Sequence, residues 1–259
     1  MHQYRRPYKV KRKKSILKNR FFWLGILILI VFIAIFYFLI LSPVFKIKEI
    51  KISGNQKVLT TDIENAVQKV LSSEGKNIFI LNTEKIKNEI SFNFPQIGQV
   101  KVKRELPDGL IIAIEERKPV AVFCHNVNYF LTDKEGIIFE QIPEAMNDYL
   151  KIQNPSLNKD LKLGDRAVEE EQMAQILAIE SKLREDLKIP LIGVSIISEK
   201  RFNLETLEGW EVYLNPEGDL NWQLTKLKAV LEEEIPLEKR KDLEYIELRF
   251  GNFAPYKYH

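Results

Sequence analysis

This chain carries little with which to do chemistry. It has one cysteine, Cys124, among 259 residues, so no intrachain disulfide can form and any exported part must be held by its apolar core. That suits a bacterial envelope protein better than a small disulfide-stapled domain. Of the three histidines, His2 and His259 stand at the termini. Cys124-His125 is the only thiol–imidazole pair, and neighbours on a strand point to opposite faces, so they cannot work together as nucleophile and base. No Gly-x-Ser-x-Gly, His-Glu-x-x-His or phosphate-loop pattern occurs, and no cluster of His, Cys, Asp and Glu has metal-ligand spacing. Asp133 and Glu135 form a carboxylate pair, but they fall where a hairpin turn is expected. The expectation is a non-enzyme with no catalytic residues, no metal ligands, no cofactor and no small-molecule substrate.

Charge is missing altogether from Phe21–Leu41, a run of 21 apolar residues with no Pro and one Gly. As a helix it spans roughly 32 Å, about the thickness of the hydrocarbon core of a bilayer. No side of it is polar, as a helix on the surface of a soluble protein requires. Acid is missing from residues 1–20, which carry nine basic residues from Arg5 to Arg20. The positive-inside bias keeps such a tail in the cytoplasm and sends the remainder across. A cleavable signal peptide would have a shorter apolar region followed by small residues, and Leu41-Ser42-Pro43-Val44 offers no such site. An uncleaved single-pass anchor is expected.

The net charge of +3 resides in that tail: the remainder has 30 Lys and Arg against 36 Asp and Glu, or −6. An acidic ectodomain is a poor partner for nucleic acid, and anionic lipid headgroups are the nearer partner for the tail.

The 218 residues after the anchor suffice for one or two domains. The segment 46–53 reads as a short strand, followed by a turn at Gly54-Asn55. Thr61-x-x-Glu64 has the form of a capping box opening a helix with Ile63, Val67, Val70 and Leu71 on one stripe, closed at Gly75. Asn82 offers an N-cap to a second helix with Ile86 and Ile90, stopped by Pro95. Ile97–Glu105 and 110–115 alternate as strands around Leu106-Pro107-Asp108-Gly109, a hairpin turn. The order β-α-α-β-β predicts a three-stranded sheet with two helices on one face, an α+β layer pair.

Beyond Val120, Tyr129–Phe139 reads as a hairpin turning at Asp133-x-x-Gly136, and 154–164 as loop. A helix is predicted over 167–188 with Ile176, Ile179, Leu183 and Leu187 on its stripe. Strands follow at 192–197, 201–206 and 210–214, then a helix through Leu220, Leu224, Leu227 and Leu231. Its terminal Glu232-Glu233-Glu234 reads as a solvated end. The last element is Tyr245-Ile246-Glu247-Leu248-Arg249-Phe250. Alternation turns Ile246, Leu248 and Phe250 inward and Tyr245, Glu247 and Arg249 outward.

The run Asn93-x-Pro95-x-Ile97-x-x-Val100-x-Val102-x-Arg104-x-x-Pro107-x-x-Leu110-x-Ile112-x-Ile114-x-Glu116-Arg117-x-Pro119-Val120-Ala121 resembles the POTRA domain of the FtsQ/DivIB cell-division proteins. Tyr245–Phe250 is similar to their closing strand, with Glu247 in place of the commoner acid. The resemblance implies a basic cytoplasmic tail (1–20), a transmembrane helix (21–41), a POTRA domain (45–117), an FtsQ-type β domain with flanking helices (118–251) and a short C-terminal tail (252–259). It implies a bitopic scaffold of the cytoplasmic membrane, enriched at the septum. Such a scaffold recruits and connects FtsB/FtsL-like and other divisome partners for septal wall synthesis. The partner would add a strand to the sheet edge at Tyr245, Ile246, Glu247, Leu248, Arg249 and Phe250, with Tyr245, Glu247 and Arg249 as readers and the POTRA sheet edge as a second docking surface. The alternative is a POTRA-type component of a protein transport or secretion system; a membrane-tethered hydrolase is the remote third reading.

Overall fold

The computed structural model describes residues 20–259. The cytoplasmic-tail expectation concerns 1–20, and residues 1–19 lie outside the described residues.

The apolar run forms one helix, α1 (Arg20–Leu41), whose large side chains are exposed along its length. Among the described residues it is the one helix long and apolar enough to cross a membrane. An apolar surface of that length, exposed over most of the helix, fits a hydrocarbon solvent.

The first unit after α1 has the order β1 (Glu49–Ser53), α2 (Thr60–Glu74), α3 (Thr83–Asn93), β2 (Ile97–Glu105), β3 (Gly109–Glu116). The sheet order is β1-β3-β2, with β1 parallel and β2 antiparallel to β3. The expected stripes face one core: Ile63, Val67, Val70 and Leu71 from α2 and Ile86 and Ile90 from α3 pack against Leu110, Ile112 and Ile114. Asn82 caps α3, its side chain accepting from the Glu84 N–H at 3.0 Å. The capping box does not form. The helix α2 begins at Thr60, so Thr61 already lies inside it, and no side chain caps Leu59. The loop before it is held instead by Glu116, whose carboxylate accepts from the N–H groups of Gln56, Lys57 and Val58 at 2.8–3.0 Å.

The second unit is one nine-stranded sheet. Its strands are β4 (Ala121–His125), β5 (Asn128–Thr132), β6 (Ile138–Ile142), β7 (Leu150–Gln153), β8 (Leu191–Ser198), β9 (Arg201–Thr206), β10 (Glu211–Leu214), β11 (Leu243–Glu247) and β12 (Tyr256–Tyr258). The spatial order is β12-β11-β10-β9-β8-β7-β4-β5-β6. Helices α4 (Glu170–Asp186) and α5 (Leu220–Glu233) pack their apolar residues into a single core with Phe123, Ile152, Val194, Phe202, Trp210 and Ile246. A smaller cluster of Val122, Leu131, Phe139 and Ile142 covers the other face of β4–β6. Alternation along β4 thus buries both faces.

Gly136 closes the β5–β6 turn with φ +77°, and a Cβ there would lie 1.9 Å from the Val168 carbonyl oxygen. Only glycine serves this position, because backbone from the start of α4 approaches it directly.

Candidate partner-binding edge

The strand on which the resemblance placed the partner ends at Glu247, three residues early, and neither of its rims is open. On one side β11 pairs with β10 in parallel, Tyr245 opposite Glu211 and Glu247 opposite Tyr213. On the other it pairs antiparallel with β12, Tyr245 opposite Lys257 and Ile246 opposite Tyr256. The outermost strand is therefore β12, an element the sequence reading did not contain. The Pro255 carbonyl accepts from the Glu247 N–H at 2.8 Å, and the His259 N–H donates to the Asp242 carbonyl at 3.1 Å. Residues 255 and 259 face inward, so by the two-residue period the main-chain groups of Tyr256 and Tyr258 point away from the sheet.

The six expected contact residues are spread over three environments. Ile246 and Leu248 belong to the core, as alternation required. Tyr245 is half-buried, its ring stacked on Tyr213 at 4.8 Å. Glu247 was expected outward and is buried; Phe250 was expected inward and is 58% exposed. The cause is local. Once the strand ends, Arg249 folds back on Glu247, donating from its Nε at 2.9 Å and from its terminal nitrogen at 2.6 Å, and its guanidinium lies over the Phe250 ring at 5.0 Å. A fork-shaped donor on a carboxylate is the strongest arrangement this pair can adopt.

Lys226 on α5 holds the segment that returns from β11 to β12. It is buried, and its Nζ donates to the carbonyls of Leu248 (2.6 Å), Gly251 (3.1 Å), Phe253 (3.2 Å) and Phe250 (3.3 Å). Burial outweighs the opposing pull of Glu247 and holds its pKa below 10.5. The four carbonyl dipoles, like Glu247, favour the charged form. One ammonium thus shapes the whole turn that delivers β12 to the rim. The sequence offered no signal for it: a lysine beside Leu227 reads as the solvated flank of an amphipathic helix.

Around this rim, Phe250, Phe253 and Tyr256 are exposed, Phe253 to 77%. Lys257 crosses to Glu244 in an ion pair, which raises its pKa. Tyr213 lies beneath Arg201 at 4.5 Å; burial, then Glu211, pushes its phenol up to about 12. It stays a neutral donor at any physiological pH.

Away from the rim, burial raises the Cys124 pKa, which works against a thiolate nucleophile. Asp133 is buried in its turn, accepting from the N–H groups of Glu135 and Ile137 at 3.0 Å each, and it also takes the Arg117 guanidinium. The pair of carboxylates is therefore a structural turn bound to a cation from the end of the first unit. Lys57 adds a second bridge between the units, to Glu140 at 2.9 Å.

Two family models cover most of the chain after α1. Residues 45–117 match the POTRA domain, FtsQ-type, and residues 121–249 match cell division protein FtsQ/DivIB, C-terminal. A curated relative, cell division protein DivIB of Clostridium acetobutylicum, is 36% identical over 98 residues, 38% of this chain and 38% of its own. That match spans well under half of the relative's length. Cell division protein DivIB of Clostridium tetani is 23% identical over 216 residues, 81% of this chain and 78% of its own. The solved major extracytoplasmic domain of DivIB from Geobacillus stearothermophilus matches at TM-score 0.31 and 15% identity, covering 47% of this chain and 99% of that one.

Proposed function

The chain belongs to the FtsQ/DivIB family of cell division proteins, and on that footing we propose that it is a non-catalytic, single-pass scaffold of the divisome. Its N-terminus lies in the cytoplasm, its two units (45–117 and 118–251) lie outside, and it gathers at the septum. There it joins FtsB/FtsL-like partners to the wall-synthesis apparatus.

The observation that carries the binding mode is the outward main chain of β12, the terminal strand of the nine-stranded sheet, beside exposed Phe250, Phe253 and Tyr256. An extended segment from the partner adds there as a tenth strand: main-chain bonds hold it and the aromatics select it. Of the six residues expected from sequence, Arg249 and Phe250 stand beside this rim and read the partner. Tyr245, Ile246, Glu247 and Leu248 act from behind it, by fixing β11 under β12.

The test is Tyr258→Pro. It removes one outward N–H and leaves the inward ladder whole. In a pull-down with FtsB/FtsL-like proteins from the same envelope, the folded variant is expected to lose capture. Undiminished capture rejects β12 as the docking strand. Depletion of the protein is expected to give long undivided filaments.

A further inference from the structure

The segment between the membrane helix and the first unit has no slack. Lys46 bridges Asn77, the Ile47 N–H donates to the Lys76 carbonyl at 2.8 Å, and the Ile78 N–H donates to the Phe45 carbonyl at 2.9 Å. Asn77 reaches further back. Its Nδ2 donates to the carbonyls of Leu39 (3.0 Å) and Ile40 (2.8 Å), groups that a helix end leaves without partners. Its Oδ1 accepts from the Phe79 N–H at 2.9 Å. A single side chain therefore ties the end of α1 to the turn carrying Phe79 and Ile80. The Phe45 ring sits between, 5.9 Å from Phe38 of α1 and 5.1 Å from Phe79.

Phe79 and Ile80 are nevertheless 45% and 57% exposed, and Leu41 and Val44 at the helix exit are exposed with them. Lys46 and Lys76 flank this apolar ring in exposed positions, and the nearby acid, Glu74, is turned to Lys85. Large apolar side chains bordered by cations and pinned against the mouth of a membrane span have the composition of an interfacial contact.

We propose that the Asn77–Ile80 turn is a second membrane contact. Phe79 and Ile80 enter the headgroup–acyl boundary of the leaflet from which α1 emerges, with Lys46 and Lys76 at the phosphates. The first unit is then seated on the bilayer in one orientation rather than swinging from a tether. The proposal rests on α1 crossing the bilayer and on no division partner.

The test uses the full chain in phosphatidylethanolamine–phosphatidylglycerol nanodiscs containing doxyl-labelled lipid. A Cys124→Ser background receives an environment-sensitive fluorophore at Ile80→Cys, Lys76→Cys, Ile30→Cys or Val127→Cys. Labels at positions 30, 76 and 80 are expected to be quenched by the lipid; the label at 127, exposed in the β4–β5 turn, is not. Adding Phe79→Ser and Asn77→Ala is expected to relieve quenching at 76 and leave it at 30. A label at 80 as bright as that at 127 while 30 is quenched overturns the proposal. A bright label at 30 overturns it too, by removing the span on which it stands. Relief that fails to follow Phe79→Ser and Asn77→Ala shows that the probe itself sought the lipid, and overturns it as well.

Discussion

At the scale of single residues, two polar side chains organise backbone that apolar patterning leaves undefined. Replacing Lys226 by Met leaves four carbonyl oxygens without their common donor. The expected cost is about 1–3 kcal/mol in urea unfolding. Faster hydrogen exchange at 256–258 is expected to exceed the exchange change in β4–β6, because the turn feeding β12 loses its centre. Glu116 makes a pH-dependent case. Burial alone would raise its pKa, but hydrogen bonds from Val58, Lys57 and Gln56 outweigh it, and the net direction is down from 4.5. A carboxylate whose folded pKa is depressed contributes stability above its unfolded value and loses it as pH falls through the folded one. Glu116→Gln is therefore expected to be less stable than the parent at pH 7, with the gap closing at acid pH, below 4.5, as the parent's own carboxylate protonates. Parallel unfolding curves at the two pH values check this. Neither role was legible in the sequence. A lysine next to apolar neighbours has the same one-dimensional signature whether it meets water or a distant carbonyl, and a glutamate whether it meets water or distant N–H groups, brought back from 20 or more positions away.

Elements were more legible than residues, and the reason is periodicity. The strand bounds Ile97–Glu105 and Arg201–Thr206, the stripes of α2 and α3, and the Asn82 cap followed from alternation, helical spacing and a short polar side chain. The elements that escaped are short ones in mixed sequence. β7 has four residues, and β12 has three after a proline, too few for a pattern to declare itself. Alternation carried three positions past the true end of β11 also misplaced Phe250, while Glu247, the last residue of the strand, is covered by Arg249 folding back on it. The two strands can be told apart by proline substitution. Glu247→Pro deletes the N–H that donates to the Pro255 carbonyl, so it is expected to release β12 and lower the unfolding midpoint. Tyr258→Pro also loses a ring packed against the core, and it is expected to lower that midpoint no further than Tyr258→Ala does. A midpoint for Tyr258→Pro well below that of Tyr258→Ala would show that the inward and outward faces of β12 are assigned the wrong way round.

At the scale of the whole molecule, the two units after α1 are joined by charge as well as by chain. Arg117 and Asp133 form an ion pair with side chains only 13% and 7% exposed. Removing one member of so buried a pair typically costs about 3–5 kcal/mol. Arg117→Ala is expected to lower stability on that order and to broaden the distance distribution between spin labels placed one on each unit, while each core keeps its own hydrogen-exchange protection. An unchanged distribution would mean that the Lys57–Glu140 bridge and the chain itself suffice to set the angle. The terminal strand has a further bearing on how such a complex lives. A rung of three residues with two of them turned outward supplies few main-chain bonds, and few bonds mean rapid release. A companion gripping only there would come and go within the time a cell takes to constrict. On the proposed reading, lasting assembly would depend on several chains closing together, so that the loss of any one weakens the hold on the others.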